Sequence, residues 1–585
     1  MNKIIKKLLV LLDKKQKHKM ILLVFMMLIG AVLETMGVAI ILPVMNVLLE
    51  DKAVYKHTYL QWICDIFGIG YDDTKFLVIV VMVGLILIFA IKNAFLFLQQ
   101  KVQLKFVYSN QFATSRRMMI NFMKRPYEYY LNADTAVIQR TITSDVNNMY
   151  GLILALLGLA SEGIVFVCLV AVSLVSDVWM TVTVAVLLVV VLLVIMFVLK
   201  PIMRRAGQEN QDFYSGLFKW IEQSVLGIKE IKIANKESYF IREYSACGAG
   251  YVDAVQRYNL YNATPRLLIE TIAIAGMILY ILMRLLTGTS VIDIMPQVTL
   301  LAVAAMRLIP CANRINNYLT SISYFEPFFM GVSDNLQDEI RDESVDYNEK
   351  TYQTDAEVVK LPIEHTLEIK DIVYKYPNSE ALIFNHANMT IPIGKSIGIV
   401  GTTGAGKTTV VDILLGLLKL ESGSILADGV DIFDNYQGYL KNVGYIPQSI
   451  FMIDDSIRKN VAFGYADEDI DDEKVWHALK QAQLDEFVRS LPEGLDAGIG
   501  ERGIRISGGQ RQRIGIARAL FEDPEVLVMD EATSALDNET EKAIMESINY
   551  LHGKKTLIII AHRLQTIEQC DTVYRVEKGQ ITVER

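Results

Sequence analysis

Six long apolar runs in the first 320 residues constrain this 585-residue chain more than any other feature. They lie near 20–48, 75–99, 150–175, 178–200, 264–287 and 291–318. Each is long enough to cross the roughly 30 Å hydrocarbon core of a bilayer as a helix. The runs therefore predict a membrane α-helical bundle of six transmembrane helices, and an even number returns the chain to its starting side. The content of 52% hydrophobic residues and the mean hydropathy of +0.31 agree, being too apolar for an ordinary soluble protein. The connections after the second and fourth runs are long, polar and helix-prone. They carry Arg116, Arg117, Lys124, Arg125, Arg204 and Arg205, which places them on the cytoplasmic side. The N-terminus, MNKIIKKLLVLLDKKQKHKM, is basic with a short apolar centre and no small-residue cleavage site. It reads as a retained amphipathic helix on the inner membrane surface. Segment 51–73 mixes aromatic and polar residues and fits either a short external helix or a loop.

Composition also excludes several classes. The net charge is −9, with no basic patch interleaved with aromatics, so nucleic acid is not an expected partner. Cys64, Cys168, Cys247, Cys311 and Cys570 are odd in number and lack CxxC spacing, against both a disulfide framework and a zinc site. The acidic stretch QDEIRDESVDYNEKTYQTDAE reads as a linker. Beyond it, short β-rich runs alternate with helical ones, the pattern of an α/β domain with a largely parallel sheet. The expected division is 1–335 transmembrane domain, 336–360 linker and 361–585 nucleotide-binding domain.

The soluble part holds the sharpest chemistry. Gly401-Thr402-Thr403-Gly404-Ala405-Gly406-Lys407-Thr408 follows the strand SIGIV and opens the helix TTVVDILLGLL, whose first two residues are Thr408 and Thr409. This is the P-loop pattern of a P-loop NTPase. Its glycines let backbone N–H groups close around phosphates, and the helix N-terminus adds positive potential. Lys407 is placed to reach the β- and γ-phosphates and Thr408 to bind Mg²⁺. The strand VLVMD ends at Asp530, the Walker B position from which an acid holds Mg²⁺ through water. Glu531 follows, where a carboxylate can polarise an attacking water.

Ile506-Ser507-Gly508-Gly509-Gln510, with the P-loop upstream and DEATSALD downstream, strongly resembles the ATP-binding cassette (ABC) transporters. Ile506 stands where the family usually has Leu. The resemblance covers the whole cassette and implies roles for further residues. Tyr376 in VYKYP is similar to the aromatic that stacks on adenine. Gln448 in YIPQ matches the Q-loop, which joins Thr408 and Asp530 around Mg²⁺. Glu501-Arg502-Gly503 resembles the exporter ERG segment. Asp537 matches the D-loop, and His562 in IIIAHR the switch histidine that reaches the γ-phosphate. The resemblance further implies a homodimer whose cassettes close head to tail, each ATP lying between one P-loop and the other chain's Ser507-Gly508-Gly509. Coupling helices are expected around 128–140 and 208–225. Spans fused N-terminal to the cassette look like the exporter or flippase class, and the intact hydrolytic motifs argue against an ATP-gated channel.

The membrane runs carry cations that need an explanation. A rise of 1.5 Å per residue from residue 291 puts Arg307 about 24 Å and Arg314 about 35 Å into the sixth span. Seven residues is two turns, so both share a face. Lys92 reaches about 25 Å in the second span, and Arg266 enters the fifth from the cytoplasmic side. Charges there face a partner or a wet cavity. One reading pairs Arg307 or Arg266 with Glu34, Glu162 or Glu270, and has Arg314 snorkel at the interface. The other has them hold an anionic phosphate or pyrophosphate headgroup, which suits the planar guanidinium fork. PRLLIE (265–270), MRLIPCANRI and ETMGVAIILPVMNVL look like stretches of bacterial lipid-linked oligosaccharide flippases. That resemblance implies a polyprenyl-pyrophosphate-linked oligosaccharide as substrate, with Arg266, Arg307, Arg314 and Lys92 lining its site, in a bacterial inner membrane with the cassette and both termini cytoplasmic. A lipid or multidrug exporter is the alternative, and a peptide exporter comes third.

Overall fold

The computed structural model describes residues 2–39, 58–68, 74–176, 178–286, 291–336, 358–377, 379–530, 546, 548, 550–560 and 567–585. The chain divides into two compact units, Met1–Arg125 with Ala133–Tyr347, and Pro126–Asn132 with Asn348–Arg585. Most of the expected linker, 337–357, lies outside the described residues.

The first unit is helical. An N-terminal helix α1 (Asn2–Leu11) precedes six long ones: α2 (Lys14–Ala39), α3 (Thr74–Met123), α4 (Val146–Ser176), α5 (Val178–Leu226), α6 (Glu237–Leu286) and α7 (Val291–Asn335). Each coincides with one of the six apolar runs over the described residues, the first run's 40–48 and residue 287 of the fifth lying outside them. Helices α3 and α6 have 50 residues and α5 has 49, so each extends about 75 Å, more than twice the hydrocarbon thickness. Hydrophobicity decides where a helix meets lipid. Its continuation past the lipid rests on the propensity of Gln-, Lys- and Ala-rich sequence and on packing against neighbours.

Close approach is built in at small residues, as in other membrane bundles. A Cβ on Gly158 of α4 would lie 2.3 Å from the Tyr318 ring of α7, and one on Gly207 of α5 would lie 2.1 Å from the Tyr324 carbonyl oxygen. Leu308, Cys311 and Ala312 of α7 are buried with Val165 and Leu169 of α4, Leu199 of α5 and Ile269 of α6. Farther along, Tyr258 stacks on Tyr324 at 3.9 Å between ring centroids.

Beyond the lipid-length runs, a π-helical turn at Thr141–Asp145 leads into α4. Asp145 is fully buried there. Its Oδ2 accepts hydrogen bonds from Arg140 Nε at 3.2 Å and Gln211 Nε2 at 3.1 Å. Arg140 also donates to Gln211 O and Ser215 Oγ, tying this turn to α5. Burial pushes the Asp145 carboxyl up to about 6, although Arg140 and Gln211 pull the other way.

Helix α1 packs one apolar face on the protein, where Ile4, Leu8, Leu11 and Leu12 are buried and Lys7 pairs with Asp334 at the end of α7, while Ile5, Leu9 and Val10 stay exposed. Two local expectations need correction. Residues 208–225 are interior to α5 and form no separate helix. The short helix at that end is Ile228–Ala234, entered through Gly227 and closed by Asn235 in a left-handed conformation (φ 51°). The 128–140 stretch is split. Tyr127–Tyr130 is a four-residue helix belonging to the second unit, and Thr135–Arg140, capped by Asp134, belongs to the first. In segment 51–73, the described part holds a helix, Thr58–Phe67.

Among the described residues the second unit has two sheets. The strands are β1 (Thr366–Lys375), β2 (Leu382–Pro392), β3 (Ser396–Val400), β4 (Ser422–Ala427), β5 (Val430–Asp431), β6 (Val443–Ile446), β7 (Val526–Asp530), β8 (Thr556–Ile560), β9 (Thr572–Glu577) and β10 (Gln580–Val583). One sheet has the order β10-β9-β3-β8-β7-β6 and is parallel from β9 to β6. The other, β2-β1-β4-β5, is antiparallel, and it adds to the parallel sheet that the sequence pattern led us to expect. All five residues of β7 and of β8 are buried, so these strands read as unbroken apolar runs covered on both faces. Helix α8 (Lys407–Leu414) follows β3, and α9 (Gly508–Leu520) precedes β7.

Candidate functional site

The P-loop spans the turn from the buried strand β3 into α8. Gly404 and Gly406 have φ of 81° and 103°, values that only glycine adopts readily. Gly401 leaves no room for a side chain, because a Cβ there would stand 2.5 Å from the Val576 carbonyl oxygen. Lys407 is 6% exposed, and its Nζ donates to the carbonyls of Gly401 at 3.1 Å and Thr402 at 3.3 Å. The ammonium is thereby folded into the loop it would share with phosphates. Thr408 is the second residue of α8.

Thr409 is buried, and its hydroxyl lies 2.8 Å from the Tyr376 hydroxyl. The Tyr376 ring is half-buried and meets Tyr374 edge-on at 5.3 Å. One hydrogen bond therefore fixes this aromatic beside the P-loop helix.

In the sheet β8 separates β3 from β7, and Asp530 closes β7 in register with Ile560 of β8. Asp530 is 6% exposed. Asp412 of α8 is a neighbour that sequence reading missed. Burial first, and then the charge of Asp530, push its carboxyl up to about 6. Two carboxylates held together in a partly dry pocket carry negative charge that a divalent cation would neutralise, so the residues fit Mg²⁺. The signal for Asp412 was its place four residues after Thr408 on the P-loop helix. Gln448 is exposed two residues beyond β6.

Ser507 caps α9 with a capping box. Its hydroxyl accepts from Gln510 N at 3.2 Å, while Gln510 Oε1 accepts from Ser507 N at 2.8 Å. The Gly508-Gly509 backbone thus opens a 13-residue helix whose N-terminus is positive in potential. Upstream, Arg502 adopts φ 54° between two glycines, and Arg511 Nη2 donates to Gly503 O at 3.1 Å, which holds the ERG turn against α9. Glu531, Asp537 and His562 lie outside the described residues.

The Pro126–Asn132 segment contributes two side chains to the cassette unit. Glu128 Oε1 accepts from Lys419 N at 2.9 Å, just past α8. Burial and then the charge of Asp412 push the Tyr127 phenol above its usual range.

Three of the four membrane cations have described side chains. Arg314 Nε pairs with Glu162 Oε1 of α4 at 2.6 Å. Arg266 Nε pairs with Glu270 Oε1 one turn on at 3.0 Å, and both are well exposed. Lys92 is only 8% exposed, with its Nζ 4.4 Å from the Phe89 ring centroid. Arg307 lies on α7, and its side chain is outside the described set. Among the described residues no group of three or more His, Cys, Asp and Glu forms a metal cluster.

A phosphate-cradling loop on a parallel sheet, a buried acid two strands away and a capped Ser-Gly-Gly helix define a cassette-type ATPase, here joined to a helical transmembrane region. The family comparisons agree. Residues 384–534 match the ABC transporter model, and 18–306 match the ABC transporter transmembrane region. An ATP-dependent lipid A-core flippase of Pseudoalteromonas translucida is 30% identical over 457 residues, 77% of this chain and 74% of that protein. The Heterocyst differentiation ATP-binding protein HepA of Nostoc sp. is 29% identical over 464 residues, covering 77% and 72%. The match to the lipid A-core flippase of Vibrio cholerae is 40% over 216 residues but spans only 37% of either chain. A bacterial Atm1-family ABC exporter with ATP bound shares the fold, with a TM-score of 0.75, 21% identity and coverage of 97% and 95%. This chain belongs to the ABC transporter family, as an exporter-type half-transporter with one membrane region and one ATPase domain.

Proposed function

We propose that two copies of this chain form an ATP-driven flippase that moves a polyprenyl-pyrophosphate-linked oligosaccharide from the cytoplasmic to the outer leaflet of a bacterial inner membrane, with the cassettes and termini cytoplasmic. The observation that carries the substrate reading is the basic series on the membrane helices, Lys92, Arg266, Arg307 and Arg314, in a bundle fused to an ATPase domain. Cations at that depth suit a lipid whose headgroup is anionic.

ATP enters between the two chains. Backbone N–H groups of Thr402–Thr408 and the Lys407 ammonium hold the phosphates, while Tyr376 carries the adenine. Thr408, Gln448 and Asp530 would hold Mg²⁺, which supplies charge neutralisation at the β- and γ-oxygens. Ser507, Gly508 and Gly509 of the second copy cap the γ-phosphate with the positive end of α9. By the family resemblance, Glu531 would orient the water, His562 would serve the γ-phosphate, and Asp537 would take the D-loop role. Closure of the two cassettes drives the membrane helices from inward to outward access.

A second reading, a lipid or multidrug exporter, is favoured by the lipid A-core flippases among the relatives and by the two arginines held in ion pairs within the protein. The deciding experiment places the purified protein in sealed liposomes with a lipid-linked oligosaccharide and reads its accessibility on the far leaflet. Movement that needs Mg-ATP and is lost in Glu531→Gln supports the flippase. Active ATPase with no movement favours the second reading. Turnover in Glu531→Gln is expected to fall about 10²–10⁴-fold, the scale for a lost general base.

A further inference from the structure

We infer that Glu162 is a built-in stand-in for the substrate's phosphate, holding Arg314 until a lipid-borne pyrophosphate displaces it; this rests on the headgroup reading above.

The pair is placed by rigid packing. Helices α4 and α7 run antiparallel and touch at matched steps. Gly158 meets the Tyr318 ring so closely that a Cβ would lie 2.3 Å from it. Four residues on along α4 and four back along α7, Glu162 meets Arg314. Cys311 Sγ, one turn further back, donates to the Glu162 carbonyl at 3.4 Å. The Glu162 backbone is thus pinned, which sets its carboxylate beside Arg314.

The bond itself is built to be exchanged. Only the Nε edge of the guanidinium is used, at 2.6 Å from Oε1. Among the described residues its two terminal nitrogens have no hydrogen-bond partner, and the Arg314 side chain is 44% exposed. Glu162 is the opposite, with a side chain 14% exposed and its Oε2 buried without a partner. Glu34 of α2 adds a second carboxylate within electrostatic reach of Arg314. An exposed arginine is therefore paired with a buried carboxylate that has one oxygen without a partner. A pyrophosphate offers that fork two parallel charge-assisted bonds, where Glu162 makes one contact. At the inner edge of the span, with its side chain 44% exposed, the arginine is open to an incoming headgroup, and Glu162 partners its charge in the empty transporter. Competition from Glu162 then weakens ground-state binding and favours release on the far side.

The test uses full-length protein in lipid nanodiscs and measures binding of undecaprenyl pyrophosphate and, separately, of inorganic pyrophosphate. It compares wild type, Glu162→Gln and the charge swap Glu162→Arg/Arg314→Glu, with thermal unfolding alongside. The inference expects Glu162→Gln to bind the lipid at least five-fold more tightly than wild type. It expects the swap to keep wild-type thermal stability yet lose binding. Equal or weaker binding by Glu162→Gln, or a swap that restores binding as well as stability, overturns it. If the swap does not fold, the Glu162→Gln ratio alone decides. Inorganic pyrophosphate binding as tightly as the lipid would place the anion in solution and overturn the lipid-headgroup source. A wild type that binds neither probe removes the headgroup reading itself, which separates that failure from a failure of the stand-in.

Discussion

The Glu128 carboxylate accepts a hydrogen bond at 2.9 Å from the Lys419 backbone N–H, 291 residues away in sequence. Lys419 follows the P-loop helix, and Glu128 lies on the four-residue helix between two membrane segments. The bond lies within the second unit, between the Pro126–Asn132 segment and the residues just past the P-loop helix. Glu128→Ala is expected to keep ATPase within about two-fold and to lose most transport, since an exposed hydrogen bond contributes only about 0.5–1.5 kcal/mol to folding. Parallel ATPase and flipping assays in liposomes check this. Equal loss in both would make the contact merely structural.

Tyr376 separates ring from hydroxyl. Tyr376→Phe removes the bond to Thr409 and keeps the ring, so the KM for ATP should rise less than about three-fold. Tyr376→Ala removes the stacking surface, and a loss of about 1–3 kcal/mol corresponds to a KM increase of roughly 5- to 150-fold. Steady-state ATPase across ATP concentrations distinguishes the two. A Phe variant as weak as Ala would move the role from the ring to the hydroxyl.

Asp145 makes stability depend on pH. Its carboxyl is raised from 3.8 to about 6 in the folded protein. Between those values the folded state binds more protons than the unfolded one, so stability falls as pH rises through this window. Asp145→Asn should flatten that dependence between pH 4 and 6, even as it lowers Tm at every pH by leaving Arg140 without its charge partner. Thermal unfolding against pH gives the slope, and an unchanged slope in the variant would assign the titration elsewhere.

Gly158→Ala brings a methyl group against the Tyr318 ring. Overpacking of this kind costs about 1–3 kcal/mol. Unfolding in detergent should show a lower Tm for Gly158→Ala and little change for Gly163→Ala, because a Cβ at Gly163 meets nothing within 4 Å.

Much of this was written in local sequence. Hydrocarbon imposes a length and a polarity on any spanning helix, so six apolar runs foretold six long helices. The P-loop and the Ser507–Gln510 cap are short-range devices, in which glycine dihedrals and a side chain three residues away complete the geometry. Their positions follow from residue order alone. Contacts between distant segments did not. The apolar stripe of α1 reads the same whether it faces lipid or protein, and only Lys7 meeting Asp334 on a folded α7 shows which. Asp412 looked like an ordinary polar helix position until the sheet order brought β7 and Asp530 beside it. Arg314 could be foreseen as a cation near the cytoplasmic interface, snorkelling or lining a headgroup site, but its pairing with Glu162 could not. That choice was made by the antiparallel register of α4 and α7, which depends on Gly158 admitting the Tyr318 ring. Sequence thus determined the helices, the strands and the phosphate loop, because those depend on neighbours in the chain. Tertiary packing decided which charges meet, because that depends on neighbours in space.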